Sequence, residues 1–447
     1  MLLFRRCLLV AAFTSLGALA LAEDTKPTKV DEAKKTAEKA ADAANQKARE
    51  LADKAREAAD AVKQATSEIT ATHKFVKEVK LSGKNGNALQ TLAVDGTGRV
   101  LALVAQPRGF SQPTKETTSE IHVLDQDGKS TGVWTVDFHA NALNAGSDGT
   151  VYVAGDGKLA KFDKDGKMLG EVIELPFIAD MLKDKAGMKV KAEKQIKAQT
   201  ESFDKMVTQY KERQGKLEEK DKEAKAKGEE LGKSDAAQFK QNKAILDSFK
   251  ESEKYYDSMT VESVMKDLLG RVKVINSVSV NEKELYIVCG ENEGYGFGLW
   301  RMDLDLKNAK KITANLSGCC GQMDVQCCGE DIVIAENTKH RFARYDRTGK
   351  ELAAGGKRGQ ETEPGTFGGC CNPMNVKACG GDVLTAESEG LIKRFGPTGE
   401  FKGIVGSVKI AGGCKNVAIG VNADASRIYF CDQPGSRVMI LAEKDKK

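Results

Sequence analysis

The sequence lacks the short motifs by which many soluble enzymes are recognised. It has no Gly-x-Ser-x-Gly turn, no phosphate-binding glycine loop and no convincing pair of acidic residues. Its four histidines, His73, His122, His139 and His340, are scattered, and none accompanies a Cys-x-x-Cys pair. Only His139, just before a predicted inner strand, would approach the axis of the fold. These absences do not favour an enzyme.

The chain also lacks a large excess of charge of one sign and an apolar run long enough to cross a membrane. The chain has 69 basic and 65 acidic residues, a formal net charge of +4, so no nucleic-acid partner is expected. An apolar run from Cys7 to Ala22 follows Arg5-Arg6 and ends in small residues, which predicts a signal peptide over residues 1–22. An uncleaved anchor is the alternative. Because no comparable run follows, we expect an exported protein, periplasmic or extracellular, with no membrane span after signal removal.

Residues 23–73 form an Ala/Lys/Glu-rich segment with no glycine or proline from Lys29 to Thr72. This composition predicts a helix. Its small or apolar residues recur at alternating steps of four and three, which is the spacing of a heptad seam. They are Ala37, Ala41, Ala44, Ala48, Leu51, Ala55, Ala58, Val62, Ala65 and Ile69. The segment is either a solvated spacer or a coiled-coil stalk through which the protein would form an oligomer.

One pattern occurs twice in the second half of the chain. Residues 318–329 read GCCGQMDVQCCG and residues 369–380 read GCCNPMNVKACG. Each copy continues with a short apolar run, an acidic residue, and a second run that ends in a Gly-containing turn. Repeated units of short strands and Gly-rich turns are typical of propeller blades.

Counting such units predicts a mainly β fold, a six-bladed β-propeller. Blades 1 and 2 with a closing strand occupy residues 74–176, and blades 3–6 occupy residues 271–447. The last unit lacks an outer strand, which Phe75 to Leu81 would supply, so that both termini close the ring. Residues 177–270 lack proline after Pro176 and carry two apolar stripes, which predicts an inserted antiparallel helical hairpin. Its break lies at Gly228, Gly232 and Lys233-Ser234-Asp235, which would supply a fresh N-cap.

The loop Gly355 to Gly359, the segment Pro364 to Gly368 and Pro373 resemble the linker between NHL-repeat blades. Ala335-Glu336 and Ala386-Glu387 stand where that family has an Ala-Asp strand end. The resemblance covers roughly residues 75–175 and 272–441. It implies a propeller that serves as a binding scaffold, and the Cys-Cys pairs depart from the family pattern.

Ten of the 11 cysteines follow the signal. They are Cys289, Cys319, Cys320, Cys327, Cys328, Cys370, Cys371, Cys379, Cys414 and Cys431. Alignment of the units places Cys320, Cys371 and Cys414 at the openings of inner strands, around one mouth of the channel. In an exported protein such thiols form disulfides. A soft-metal site for Cu(I) or Zn(II), with Met323 or Met374 nearby, is the alternative.

Amides recur near the starts of inner strands, at Asn87, Asn141, Asn276, Asn372 and Asn416, and Asp324 and Asn375 join this set. Six-bladed lactonase-like propellers, to which the chain is similar in this respect, hold calcium through oxygen ligands around the channel. That resemblance implies a calcium-dependent hydrolase. The alternative is that these asparagines have a structural role, since Asn is common where a loop enters a strand.

The sequence therefore predicts an exported, non-enzymatic binding or scaffold protein. It would present its channel face or helical hairpin to a protein or cell-envelope component, with no cofactor required. A channel-centred, calcium-dependent lactonase-like hydrolase is the first alternative, and a thiolate metal-binding protein is the second.

Overall fold

The protein is represented by a computed structural model. It describes residue 46 and residues 71–107, 118–292, 296–319, 321–360, 363–411, 413 and 415–444. The predicted signal peptide, nearly all of the Ala-rich segment, Cys320 and Cys414 lie outside these residues.

Six four-stranded sheets, here called blades 1 to 6 in chain order, make up most of the described chain. Blades 1 to 3 take four consecutive strands each: β2 (Ala88–Val94), β3 (Val100–Ala105), β4 (Ser119–Leu124), β5 (Ser130–Val136), β6 (Ala142–Ala145), β7 (Val151–Gly155), β8 (Lys158–Phe162), β9 (Ile173–Glu174), β10 (Ile275–Val280), β11 (Glu284–Gly290), β12 (Phe297–Asp303) and β13 (Lys310–Leu316).

Blades 4 to 6 follow the same order, except that the first strand of the described chain completes blade 6. Their strands are β14 (Val325–Cys328), β15 (Asp331–Glu336), β16 (Arg341–Tyr345), β17 (Glu351–Gly355), β20 (Asn375–Cys379), β21 (Asp382–Ala386), β22 (Leu391–Phe395), β23 (Phe401–Ser407), β24 (Val417–Val421), β25 (Arg427–Asp432), β26 (Arg437–Glu443) and β1 (His73–Lys80). A short parallel pair, β18 (Lys357–Arg358) and β19 (Thr366–Phe367), lies between blades 4 and 5.

The blades surround a common axis. The inner strands β2, β6, β10, β14, β20 and β24 contact one another in that order, and β24 contacts β2, which closes the ring. Within blade 6, β1 pairs antiparallel with β26, so Phe75 lies opposite Leu441. The predicted β-propeller and its closure by the N-terminal strand are confirmed. Four strands per sheet and a closed ring leave no inner edge exposed.

Local sequence explains the tight turns within the blades. In the turn Asp346-Arg347-Thr348-Gly349, Asp346 Oδ1 accepts hydrogen bonds from the backbone N–H groups of Thr348 at 2.8 Å and Lys350 at 3.0 Å. Gly349 has φ +92°, a conformation that L side chains rarely adopt. The Asp fixes the turn and the Gly permits it, which is why this motif recurs between strands.

Four helices separate blades 2 and 3: α1 (Pro176–Lys183), α2 (Lys185–Ala226), α3 (Lys233–Asp257) and α4 (Val261–Lys273). The helix α2 leads away from the propeller, and α3 and α4 return toward it, packed along α2. Ring contacts pair Phe203 with Tyr256 and Tyr210 with Phe249, centroids 4.5 and 5.4 Å apart. None of the helices in the described ranges has both the length and the apolarity of a membrane span.

The predicted hairpin had only two long helices, whereas the returning arm is divided into two helices, α3 and α4. Thr260 caps α4 by accepting from Ser263 N, and Ser263 Oγ accepts from Thr260 N, a reciprocal capping box. The N-cap of α3 is Gly232, and it makes no side-chain cap bond. The two ends of the insertion meet at Gly157. Its carbonyl accepts from Leu175 N at 2.8 Å, and its N–H donates to Lys273 O at 2.9 Å.

Candidate functional site

The oxygen-bearing residues predicted for the channel face lie at the starts of inner strands. Asn87, Asn141, Asp324 and Asn416 each immediately precede an inner strand, and Asn375 begins β20. Their common position follows from the repeat, since each blade begins with a loop that enters its innermost strand. The structure therefore brings these residues to one end of the propeller, but it uses them differently.

Three equivalent side chains link neighbouring blades. Ser277 Oγ accepts from Val325 N at 3.2 Å, Asp324 Oδ2 from Val376 N at 3.0 Å and Asn375 Oδ1 from Ile419 N at 2.9 Å. In each case the donor lies in the inner strand of the next blade. Buried N–H groups need such partners because an unpaired one is costly. We call these contacts the interblade links.

Asp324 also accepts a hydrogen bond from Ser277 Oγ at 2.6 Å. Burial raises the pKa of the Asp324 carboxyl to about 6, although the hydrogen bonds from Ser277 and Val376 and the charge of Lys377 oppose this rise. Asp324 is thus a buried structural acid whose oxygens already have protein partners.

Asn372 has a structural role in the loop that carries Cys370 and Cys371. Its Nδ2 donates to Gly368 O at 3.0 Å and to Glu389 Oε2 at 2.7 Å, and its Oδ1 accepts from Ser388 N at 2.9 Å. All of its polar atoms are occupied, and the side chain is fully buried. The hydrogen bonds of the buried Asn372 side chain therefore stabilise the conformation of this loop.

Two other amides differ in that their side-chain oxygens are buried without a hydrogen-bond partner. These atoms are Asn141 Oδ1 and Asn276 Oδ1, on neighbouring blades 2 and 3. The Asn276 side-chain nitrogen donates to Gly321 O, and that of Asn87 donates to Thr118 O at 3.2 Å. Unsatisfied buried oxygens are uncommon in folded proteins. Asn141 and Asn276 are thus predicted residues whose buried side-chain oxygens could still accept a hydrogen bond or bind a cation.

Side chains cross the middle of the channel. Gln326 Oε1 accepts from Lys377 Nζ at 3.1 Å and from Asn144 Nδ2 at 3.4 Å, which joins blades 4, 5 and 2. Burial lowers the pKa of the Lys377 amine, and the nearby Asp324 opposes that effect. This layer was not predicted from the sequence, although Gln326 and Lys377 occupy the same position in the two Cys-bearing repeats.

The described cysteines fall into two groups. Cys289, Cys327, Cys328, Cys379 and Cys431 are free thiols on strands. Burial raises the pKa of Cys289 and of Cys327 to about 12 and opposes the thiolate that a soft metal needs. Within the described ranges, no three His, Cys, Asp or Glu side chains form a metal-binding group.

The second group lies on the loops before β14 and β20. Cys371 is buried and disulfide-bonded. The neighbouring Cys370 is exposed, and its Sγ lies 3.1 Å from Cys371 Sγ. Cys319, on the corresponding loop of blade 4, packs against the same apolar cluster as Cys371. The proposed ring of Cys320, Cys371 and Cys414 stays a prediction, since two of its members lie outside the described residues.

His139 is buried, and its Nε2 lies 2.8 Å from Gln106 O. This histidine therefore connects the segment that enters blade 2 with the residue that follows β3 of blade 1.

A groove lies where the helical insertion meets the edge of blade 3. It encloses about 750 Å³, and we call it the insertion groove. Its lining includes Phe177, Asp180, Glu291, Trp300, Lys311 and Ala314. The rings of Phe177 and Trp300 stack with centroids 4.1 Å apart at 10°, and Lys311 Nζ lies 5.3 Å from the Trp300 ring and 2.5 Å from Glu291 Oε2.

The insertion groove was not predicted. The sequence contained one signal for this groove: Trp300 is one of only two tryptophans, and Phe177 begins the inserted segment. Their proximity depends on the packing of α1 against blade 3, which local sequence patterns do not specify.

No protein-family profile matches the chain, and no curated protein is similar enough to be a relative. Among solved structures, the calcium-binding protein regucalcin from Agrobacterium tumefaciens is similar at 13% identity, with a TM-score of 0.41 over 83% of this chain and 93% of that one. The WD40 repeats of RRP9 give 8% identity and a TM-score of 0.38, over 83% of this chain and 100% of that one. The structure of U3-55K is similar at 8% identity, with a TM-score of 0.37 over 82% of this chain and 98% of that one. The fold assignment rests on the strand order and the closed ring.

Proposed function

We propose that the protein is an exported, non-enzymatic, NHL-like propeller that binds a protein or another cell-envelope component at the insertion groove. The contrast between channel and groove carries this proposal. Hydrogen bonds of Gln326 with Asn144 and Lys377 cross the channel, whereas the insertion groove is open to solvent and encloses about 750 Å³. The Ala-rich segment would serve as a spacer or an oligomerising stalk.

The chemistry of the insertion groove supports a macromolecular partner. The stacked Phe177 and Trp300 give it an apolar floor, Glu291 pairs with Lys311, and Asp180 lines the same groove. Aromatic anchors surrounded by polar groups are typical of protein-binding surfaces. The residues on both sides of the groove belong to packed elements, so a partner would meet a preformed surface.

A substitution that fills the groove tests this function. Ala314 is exposed on the edge strand β13, so Ala314→Arg would block the groove with little effect on folding. Ser130→Arg, on the exposed outer strand of blade 1, is the matched control. We expect capture of the envelope partner from the native host to be lost with Ala314→Arg and kept with Ser130→Arg. Equal capture by both variants would exclude the groove as the binding surface.

The unpaired oxygens of Asn141 and Asn276 favour a second candidate, a channel-centred calcium-dependent hydrolase of the lactonase type. Calorimetric titration with Ca²⁺ and a lactone panel test it. Stoichiometric binding that Asn141→Ala weakens, together with lactone hydrolysis, would establish this candidate and displace the binding proposal. Absence of both would remove it.

A further inference from the structure

We propose that the insertion groove recognises a basic side chain, an arginine or a lysine, of its partner. This inference rests on the proposed function and names the chemistry that the partner presents. Its basis is the arrangement of Glu291, Trp300 and Lys311, in which a cation of the chain itself contacts a carboxylate and an aromatic ring.

Lys311 shows which chemistry this part of the groove accepts. Its Nζ lies 2.5 Å from Glu291 Oε2 and 5.3 Å from the centre of the Trp300 ring. A carboxylate attracts a cation by its charge, and the face of a tryptophan attracts one by the quadrupole of the ring. Phe177 stacks on Trp300 at 4.1 Å, which fixes the orientation of the ring. The groove therefore holds a preformed arrangement for a cationic group.

Glu291 has an acceptor that Lys311 does not use. The residue follows β11 and is 5% exposed, and its Oε1 is buried without a hydrogen-bond partner. A carboxylate oxygen can only accept, and leaving it unpaired is costly. A ligand must therefore supply a donor, and a charged donor forms the stronger bond. The planar guanidinium of arginine, with five N–H groups, meets this need best.

Entry of the ligand requires Lys311 to turn toward solvent. Lys311 lies on β13, the outer strand of blade 3, and 31% of its side chain is exposed, so this movement disturbs no packed core. The Glu291 carboxylate is then open to a basic group of the partner, which takes the place of the lysine beside the Trp300 ring.

The charges that line the groove also favour a cation. Besides the pair of Glu291 and Lys311, the charged lining residues are Asp180, Asp184 and Lys191. Two carboxylates and one amine give this part of the lining an excess of negative charge. An acidic partner segment would meet repulsion here, whereas a basic one meets attraction.

Titration of the full chain with two matched peptides tests the charge preference. The probes are acetyl-Gly-Gly-Arg-Gly-Gly-amide and the same peptide with citrulline, which keeps the shape of arginine but carries no charge. The indole N–H signal of Trp300 in a ¹⁵N NMR spectrum reports binding, and Trp134 on blade 1 is the internal reference. We expect the arginine peptide to bind about tenfold or more tightly than the citrulline peptide. Equal affinities, or no binding of the arginine peptide, would overturn the inference.

Two variants locate the acidic group. Glu291→Gln keeps the shape of the side chain and should weaken binding of the arginine peptide by about tenfold or more. Asp180→Asn should weaken it by about two- to fivefold, and it leaves the fold intact because its ion pair with Lys183 is exposed. Glu330→Gln is the matched control, since Glu330 also pairs with a lysine but lies in the turn between β14 and β15. Thermal unfolding verifies that each variant folds, and wild-type affinity in both Glu291→Gln and Asp180→Asn would overturn the inference.

Capture from the native host separates this inference from the proposed function. Capture that is lost with Ala314→Arg but kept with Glu291→Gln would leave the groove as the binding surface and overturn its preference for a basic side chain. Binding of the arginine peptide that depends on Glu291, together with normal capture by Ala314→Arg, would support the preference and overturn the proposed function.

Discussion

The side chain of Gln322 holds both backbone polar groups of Val417, although a whole blade separates them. Gln322 Nε2 donates to Val417 O at 2.8 Å, and Val417 N donates to Gln322 Oε1 at 3.3 Å. Gln322 lies in the loop that enters blade 4, and Val417 begins the inner strand of blade 6. The contact therefore connects two blades that do not share an interface in the ring.

Loss of this contact should destabilise the propeller. Gln322→Ala would leave the N–H and the carbonyl of Val417 buried without a partner, and we expect the free energy of unfolding to fall by about 1–3 kcal/mol. Urea unfolding followed by fluorescence measures this change. Gln238→Ala, on the exposed face of α3, is the control and should have little effect. Equal stabilities of the two variants would show that the bridge contributes nothing.

The interblade link at Asp324 should make stability depend on pH. The carboxyl has a pKa of about 6 in the folded chain against an ordinary 3.8, so the folded state binds the proton more tightly. Its contribution to stability is therefore greatest below about pH 4 and is lost as the pH rises from 3.8 to 6.

Asp324→Asn should remove this dependence and raise stability at pH 7.5 by on the order of 1–3 kcal/mol. The amide can still accept from Val376 N, as Asn375 does from Ile419 N, and Ser277 Oγ has Val325 O as another acceptor at 3.2 Å. Asn375→Asp, the reverse change at the equivalent position, should introduce the same pH dependence. Chemical unfolding from pH 3.5 to 7.5 measures both, and parallel curves for wild type and Asp324→Asn would contradict the assignment.

Glu387 and Lys393 form a buried ion pair in blade 5 that should be strongly coupled. Lys393 Nζ lies 2.6 Å from Glu387 Oε1, and the side chains are 1% and 0% exposed. Lys393→Met would leave a buried carboxylate without its partner, at a cost of about 3–5 kcal/mol. Because burial already raises the Glu387 pKa to about 7, the deficit should shrink as the pH falls and the carboxyl is protonated.

A double-mutant cycle tests the coupling. Glu387→Gln combined with Lys393→Met should recover most of the stability lost in Lys393→Met. The exposed pair Lys164–Asp165 is the control, and Lys164→Met should cost less than about 1 kcal/mol. Additive losses in the buried pair would exclude strong coupling.

The distal part of the helical insertion should be dispensable for folding. Replacement of residues 211–247 by a short Gly/Ser loop keeps the ring contacts among Phe203, Tyr210, Phe249 and Tyr256 and leaves the insertion groove unchanged. We expect an unchanged thermal transition of the propeller. A transition lowered by more than about 5 °C would indicate that the hairpin tip contributes to propeller stability.

Local patterns predicted the β-propeller because each blade repeats its own strands and turns. The Asp-x-x-Gly turns, the alternating apolar strands and the unpaired N-terminal strand were all visible in the sequence. The capping box of Thr260 and Ser263 was also visible but was overlooked, which hid the break between α3 and α4.

The roles of the candidate residues were harder to predict, because they depend on partners in other blades. Asp324 and Asn375 were identified as candidate ligands, and the structure shows both accepting hydrogen bonds from the next blade. Asn141 and Asn276 are asparagines like Asn375, but their side-chain oxygens have no hydrogen-bond partner. The insertion groove depends on how a helix packs on blade 3, which no repeat pattern encodes.

Site-specific photo-crosslinking in the native host tests the binding proposal most directly. A benzophenone amino acid at position 314 faces the insertion groove, and the same group at position 130 reports the outer edge of blade 1. We expect a discrete adduct with a cell-envelope partner from position 314 and none from position 130. No adduct at position 314, or identical adducts at both positions, would contradict it.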